Sequence, residues 1–542
     1  MVLTRGVKRL HITSLPMRNE PPSGISRRSA LIALGTTGAG ASLLGGTPAS
    51  AAPAGPLLLA PPSRIGAPPV EGLHLTFGAD PTSQMVVSWT TDGPVNRPRA
   101  SYGTLEGGFG RTVDAETRTY VDGLSGRTVH THHATLAGLH PGGYYTYAAM
   151  HDGGRPDAGT FRTAPRGRTP FTFTSFGDQA VPQVTWQPDG KGGYTVALNA
   201  NNTPANADIV TGIEQIDPLF HLLNGDLCYA NLDPDRVRTW NAFFANNTRS
   251  ARYRAWMPAA GNHEDEKGNG PLGYGAYQTY FTLPGNGGDA AFAGLWYAFT
   301  VGSVRVISLQ NDDVALQDGG DNYVSGYSGG AQRAWLEGEL ARARASRDID
   351  WIVVCMHQVI ISSSDANGAD LGIREQWGPL FDRYEVDLVL CGHEHDYERS
   401  LPVRGVVSGS ETLTPNPVAT DTSLIDASRG TTHMVLGGGG VSGTTNQKFF
   451  PAGKAKVITA VTAPPTAGAK HPSVYVFEDT PWLGVRDPEH AYGFGAFTVD
   501  PGTGPGSLTR IYVTYYNVAV PTGAITPFET FTLQRKRSDD HR

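Results

Sequence analysis

The chain has 542 residues, of which 39% are hydrophobic and 17% charged, with 68 Gly and a formal net charge of −7. That length holds two or three domains, and the apolar fraction excludes a disordered chain. Residues 1–51 carry six Arg or Lys and one Glu, so the remainder stands at about −12; without clustered Lys and Arg it excludes nucleic-acid binding through a basic patch.

At the N-terminus, Ser26-Arg27-Arg28-Ser29-Ala30-Leu31 leads into a glycine-spaced, weakly apolar run ending at Leu44, then the small-residue stretch Ala49-Ser50-Ala51. Residues 1–51 therefore read as a twin-arginine export signal. The run is too short for a membrane span, and no later stretch approaches about 18 consecutive apolar residues. The expectation is a secreted, extracellular protein with no stable membrane anchor. Residues 52–68, rich in Pro, Ala and Leu, read as a linker.

From 69 to 166 short alternating runs, Leu73 to Phe77, Met85 to Trp89 and Tyr144 to Tyr147, are divided by turn-rich spacers, the signature of an all-β sandwich. His130, His132 and His133 fall here. They face both sides of one strand with no acidic partner nearby, so they are expected to be structural rather than metal-binding.

From 167 to 535 the pattern is mixed α/β. Phe171 to Phe176, Leu219 to Leu223, Trp351 to Met356 and Val386 to Cys391 read as buried strands, Trp296 to Leu309 as paired strands, and Asn206 to Ile216 and Ala331 to Ser346 as helices. Beyond Arg399 β-character returns in His433 to Leu436, Leu508 to Tyr516 and Phe528 to Leu533, while roughly 404–430 reads as loop; residues 536–542 read as a tail. Cys228, Cys355 and Cys391 are odd in number and lack any Cys-x-x-Cys, so they are expected to be small buried groups.

Chemistry-bearing residues recur at the ends of these strands: Asp178; Gly225-Asp226-Leu227-Cys228-Tyr229; Gly261-Asn262-His263-Glu264; Met356-His357; and Gly392-His393-Glu394-His395. Such a set of oxygen and imidazole donors can hold two metal ions, which would supply activated water and positive charge to a phosphate ester.

In order and spacing these blocks resemble the five sequence blocks of the purple acid phosphatases, binuclear metallophosphoesterases. Tyr397-Glu398-Arg399, the four glycines 437–440 and Tyr492-Gly493-Phe494 extend the likeness, and Met85 to Trp89 with Leu139 to Tyr145 resembles a fibronectin type III domain with Trp89 and Tyr145 in its core. The resemblance implies a four-layer α/β/β/α metallophosphoesterase sandwich preceded by an all-β fibronectin type III-like sandwich. It also implies that Asp178, Tyr229 and His395 hold one metal, that Asp226 bridges, and that Asn262, His357 and His393 hold the other. Fe(III) suits the first site and Zn(II), Mn(II) or Fe(II) the second. His263 would act on the substrate, with Glu264 and Glu394 as supporting charges that orient the histidines.

Two departures stand out. Ala180 occupies a position where the family often has glycine, and Ser362-Ser363-Ser364-Asp365 follows His357 without the histidines that several plant relatives carry. The implied function is acid phosphatase action on small phosphomonoesters by hydroxide held at the metal pair. A phosphodiesterase or nucleotide hydrolase on the same site, or a binding protein with an inactive core, are the alternatives, and the oligomeric state is left open.

Overall fold

The computed structural model describes residues 67–182, 184–188, 194–198, 205–441, 449–451 and 453–540. The export signal and nearly all of the linker lie outside these residues. Among the described residues no helix is long and apolar enough to cross a membrane.

Two large mixed sheets face one another. The first has eleven strands, and its centre is the parallel set Phe171–Phe176, Phe220–Asn224 and Ala255–Ala259. The second has seven, centred on the parallel strands Val304–Ser308, Trp351–Cys355, Leu388–Cys391 and Thr432–Leu436. Trp351–Cys355 and Leu388–Cys391 read as unbroken apolar runs because both of their faces are buried. Phe173, Phe220, Leu222 and Met257 point between the sheets and meet Val353, Leu388, Leu390 and Met434. Leu223, Ile352, Val354 and Val389 point outward beneath helices.

Ala205–Ile216 and Arg236–Ala251 belong to one outer layer, and Ala331–Ala345, through Leu336, Leu340 and Ala343, to the other. The result is the expected four-layer arrangement. Phe173 anchors its centre, stacked on Phe220 at 5.2 Å and on Phe497 at 4.7 Å, and each such buried ring contributes about 1.5–3 kcal/mol.

The N-terminal β-domain is the expected sandwich, with Trp89 and Tyr145 in its core. Tyr145 Oη accepts the His140 amide at 2.8 Å, a tyrosine-corner contact. The domain is not a separate bead. Its first strand, Glu71–Phe77, pairs in parallel with Ala255–Ala259 at Leu75 and Ala255, so one of its sheets continues the first catalytic sheet. At the C-terminus Gly493–Asp500 pairs directly with Phe171–Phe176, and Ser538 donates its amide to Asp350 at 2.8 Å, which ties the tail to the core.

Several elements depart from expectation. The stretch read as loop contains Leu424–Asp426, an edge strand parallel to Ile525–Lys536. The helix Arg236–Ala251 and the hairpin of Lys454–Val461 with Ser473–Asp479 were not expected either. Three residues carry no periodicity, and the hairpin exposes Tyr475, Val476 and Phe477, which hides the alternation that marks a half-buried strand.

His132 and His133, two of the three histidines expected to be structural, are held by hydrogen bonds within the fold, and so is His74. His74 bonds Tyr280 O at 3.1 Å, His133 lies between Ser88 and Thr279 O, and His132 lies between Thr91 and Thr117. Burial pushes their pKa values down, to about 4 for His74 and His132 and to about 3 for His133. In an unfolded chain these rings titrate near pH ~6.5. Acid therefore protonates the unfolded state first, and the stability these groups give is complete above pH ~6.5 and lost as pH falls toward ~4. The urea midpoint is expected to drop steadily from pH 7 to 4.5, and His132→Gln should make that dependence shallower.

Candidate metal centre

All five strands that carry expected site residues release them just past their C-terminal ends, and the backbone there is unusual. Asp178, Ala180, Asp226, Tyr229 and His393, with φ between 51° and 71°, are five of the nine non-glycine residues with positive φ among the described residues. Such backbone costs roughly 1–2 kcal/mol per residue and persists only where the surroundings impose it. Ala180, where the resemblance led us to expect glycine, has a left-handed φ of 59°, its methyl packed against Tyr229 and Val441. Two glycines let the chain close around the carboxylates: a Cβ on Gly392 would lie 2.4 Å from Asp178 Oδ2, and one on Gly261 2.3 Å from Asp226 Oδ1.

The structure brings the seven expected ligands into two groups. In the first, His357 Nε2 lies 3.1 Å from Asp226 Oδ2, 3.0 Å from Asn262 Oδ1 and 3.1 Å from His393 Nδ1. The protons of this group are committed elsewhere. His357 Nδ1 donates to Asn224 O at 2.8 Å, His393 Nε2 donates to Gln317 Oε1 at 2.7 Å, and Asn262 Nδ2 donates to Gly319 O at 3.1 Å. Four lone-pair atoms are therefore turned on one point, an arrangement that repels itself unless something positive sits there.

With protein atoms alone, a proton does that work. Burial would discharge His357, but the Asp226 carboxylate pushes its pKa up to about 10. Burial and the charge on His357 hold His393 well below the ordinary range. Asp226, His357 and His393 each offer a donor atom, and these atoms all lie within 4.8 Å of one another. The donor set fits a divalent cation.

In the second group, Tyr229 Oη lies 3.0 Å from Asp178 Oδ1 and 3.1 Å from His395 Nε2, which is itself 3.4 Å from Asp178 Oδ1. Burial, reinforced by the Asp178 and Asp226 charges, pushes the Tyr229 phenol well up. It can become a phenolate only with a strong cation beside it. The Asp178 carboxylate also accepts the His393 amide at 2.8 Å, which joins the two groups.

His263 adjoins both. Its amide donates to Asp226 Oδ1 at 2.9 Å, its ring lies 4.5 Å from that of Tyr229, and Nδ1 meets Asn231 Oδ1 at 2.9 Å. This leaves Nε2 3.9 Å from Asp226 Oδ2.

Glu264 and Glu394 do not orient histidine side chains, contrary to expectation. Glu264 accepts the amides of Asp226 at 2.9 Å, Leu227 at 2.8 Å and Gly261 at 2.8 Å, clamping two ligand loops together. Burial and the Asp226 charge push its pKa up to about 8 against the pull of the amides. Glu394 accepts the amides of Asn367 and Gly368. Their short side chains reach nearby backbone donors before any imidazole.

The residues that do orient the rings, Asn224, Gln317 and Asn231, were not read from the sequence. Asn224 stands at a strand end next to Gly225-Asp226, a signal that was available; Gln317 lies in a loop and Asn231 in the short 3-10 turn Ala230–Leu232, without one. The three cysteines are buried and unpaired, and Cys355 Sγ donates to Asn224 Oδ1 at 3.1 Å.

The comparisons with known proteins agree with this geometry. Residues 70–163 match the purple acid phosphatase N-terminal domain, and residues 199–397 match the calcineurin-like phosphoesterases. An uncharacterized protein of Mycobacterium tuberculosis is 54% identical over 96% of this chain and 98% of its own. Acid phosphatase type 7 of Homo sapiens is 28% identical over 69% of this chain and 80% of its own. The solved structure of purple acid phosphatase PPD1 from yellow lupin seeds shares the fold, with a TM-score of 0.61 at 21% identity over 88% of this chain and 75% of that one. The chain belongs to the purple acid phosphatase family, whose binuclear metal centre makes it a metal-dependent phosphoesterase.

Proposed function

We propose that the protein is an exported acid phosphatase acting on small phosphomonoesters. The observation that carries this reading is the pair of donor groups, one of which has its outer N–H groups held by Asn224, Gln317 and Gly319 and its remaining donor atoms turned on one point. Asp178, Tyr229 and His395 would hold one ion, best Fe(III) because phenolate and carboxylate are hard donors. Asn262, His357 and His393 would hold the other, Zn(II), Mn(II) or Fe(II). Asp226 would serve both ions, and its Oδ1 also accepts the His263 amide. When bound, the pair supplies an acidified water and positive charge for the phosphoryl oxygens.

The protein's own part follows from its side chains. Gln317 and Asn224 fix the ring orientations of His393 and His357. Asn231 Oδ1 accepts from His263 Nδ1, so in the imidazolium form Nε2 carries the second proton and can give it to the leaving alkoxide as water adds to phosphorus and the ester P–O bond breaks. Burial lowers the pKa of His263; a dianionic ester beside it would raise it again. No Ser or Cys nucleophile is required. The twin-arginine pattern supports export of the folded, metal-loaded chain.

The test is elemental analysis, a visible spectrum and an assay on one purified sample. Bound iron with a second metal, a phenolate charge-transfer band that Tyr229→Phe removes, and faster turnover of 4-nitrophenyl phosphate than of bis(4-nitrophenyl) phosphate are expected. A metal-loaded protein with the reverse substrate preference would make it a diesterase.

A further inference from the structure

The segment from Gln317 to Tyr323 crosses the centre on the His393 side and touches three of its parts. Gln317 holds His393, Gly319 O holds Asn262, and Asp321 Oδ1 accepts from Asn231, the partner of His263, at 3.3 Å. The hairpin of Lys454–Val461 and Ser473–Asp479 lays its connecting loop on that segment. Lys470 Nζ donates to Gly319 O at 2.6 Å, the His471 amide and Nδ1 both meet Asp318 Oδ2 at 2.8 Å, and the His471 ring lies 4.5 Å from that of Tyr323. One carbonyl, Gly319 O, is thus shared between the ligand-side amide of Asn262 and an ammonium group.

Lys470 is solvent-exposed at this rim. Through the shared Gly319 O it stands one hydrogen-bonded step from Asn262, and His263 is the next residue of that turn. An ammonium group carries three N–H donors, and Gly319 O takes one. On the phosphatase reading the two metals and His263 would meet the scissile phosphate. An exposed cation at the rim, one carbonyl away from Asn262, is left to meet what the substrate carries beyond that phosphate. Resting on the phosphatase reading, we propose that Lys470 binds an anionic substituent, phosphate or carboxylate, on the leaving group, with the His471–Asp318 contact holding the loop in place. The substrate class is then a monoester or anhydride whose leaving group is itself negatively charged.

The test uses the metal-loaded protein and its Lys470→Met and Lys470→Arg variants on 4-nitrophenyl phosphate, 4-carboxyphenyl phosphate and pyrophosphate. Lys470→Met is expected to lower kcat/KM for the carboxylate or the pyrophosphate about tenfold more than for 4-nitrophenyl phosphate, mainly through KM, and Lys470→Arg to recover most of that difference. The anion that responds identifies the substituent. Calorimetry gives a readout without turnover: Lys470→Met should weaken methylenediphosphonate about tenfold more than inorganic phosphate. Equal losses on all substrates and both ligands would show that Lys470 only braces Gly319 beneath Asn262, and would overturn the proposal. A metal-loaded wild type that hydrolyses none of the three would overturn the phosphatase reading, and this inference with it.

Discussion

Asp226→Ala is expected to abolish pairing of the two metals and to lower kcat/KM on 4-nitrophenyl phosphate by a factor on the order of 10³ or more. Asp226 Oδ2 lies in the His357 group, while Oδ1 anchors the His263 amide, so one truncation removes a ligand and frees the acid that follows it in space. Metal-borne charge is worth several kcal/mol in such a transition state, and about 1.4 kcal/mol corresponds to a factor of ten. Elemental analysis of the variant should show substoichiometric second metal. Retention of most activity with both metals bound would refute the assignment of the centre. Asp226→Asn separates the two parts of the effect: its amide oxygen can still accept from His263, but it brings no charge to either ion.

Glu264→Ala is expected to be the most damaging change that removes no ligand. Its two oxygens accept three buried backbone amides, two from the Asp226 loop and one from Gly261, which directly precedes Asn262. A buried donor left without a partner costs about 1–3 kcal/mol, so the loss should reach several kcal/mol and fall on both loops at once. The check is a urea midpoint with and without bound metal, together with metal affinity. Affinity should fall along with stability, because the clamp and the ligands share the same turns. Glu264→Gln should lie between, since one amide oxygen can accept while its NH₂ group faces donors. A variant as stable as the parent would mean that water satisfies those amides.

Much of this molecule is legible in its sequence, and particular residues show why. Strands such as Trp351–Cys355 and Leu388–Cys391 announce themselves because burial on both faces demands an unbroken apolar run. The candidate site side chains then fall among the first polar residues past each run. The spacing of Asp226 and Tyr229, or of His393 and His395, is set within a single turn, so a local reading finds it. Ala180 shows the limit of that reading: its identity raised a question about the turn that only its left-handed φ of 59° answers.

The residues that tune the centre belong to the other category. Gln317 reaches His393 across 76 positions, and Lys470 reaches Gly319 across 151; no periodicity or spacing rule links positions so far apart. Glu264 was legible as a buried acid beside ligands, but which donors it would meet depended on the Asp226 loop folding back over Gly261. The parallel pairing of Glu71–Phe77 with Ala255–Ala259, which makes the β-domain an extension of the catalytic sheet, likewise has no local signature. The sequence by itself determined the fold class, the order of its strands and the identity of the residues at their ends, because burial and turn chemistry are written locally. Only the tertiary structure decided which protons face away from the centre, which carbonyls hold them there, and which cation from a distant hairpin stands at its rim, because those contacts exist only once the sheets have packed.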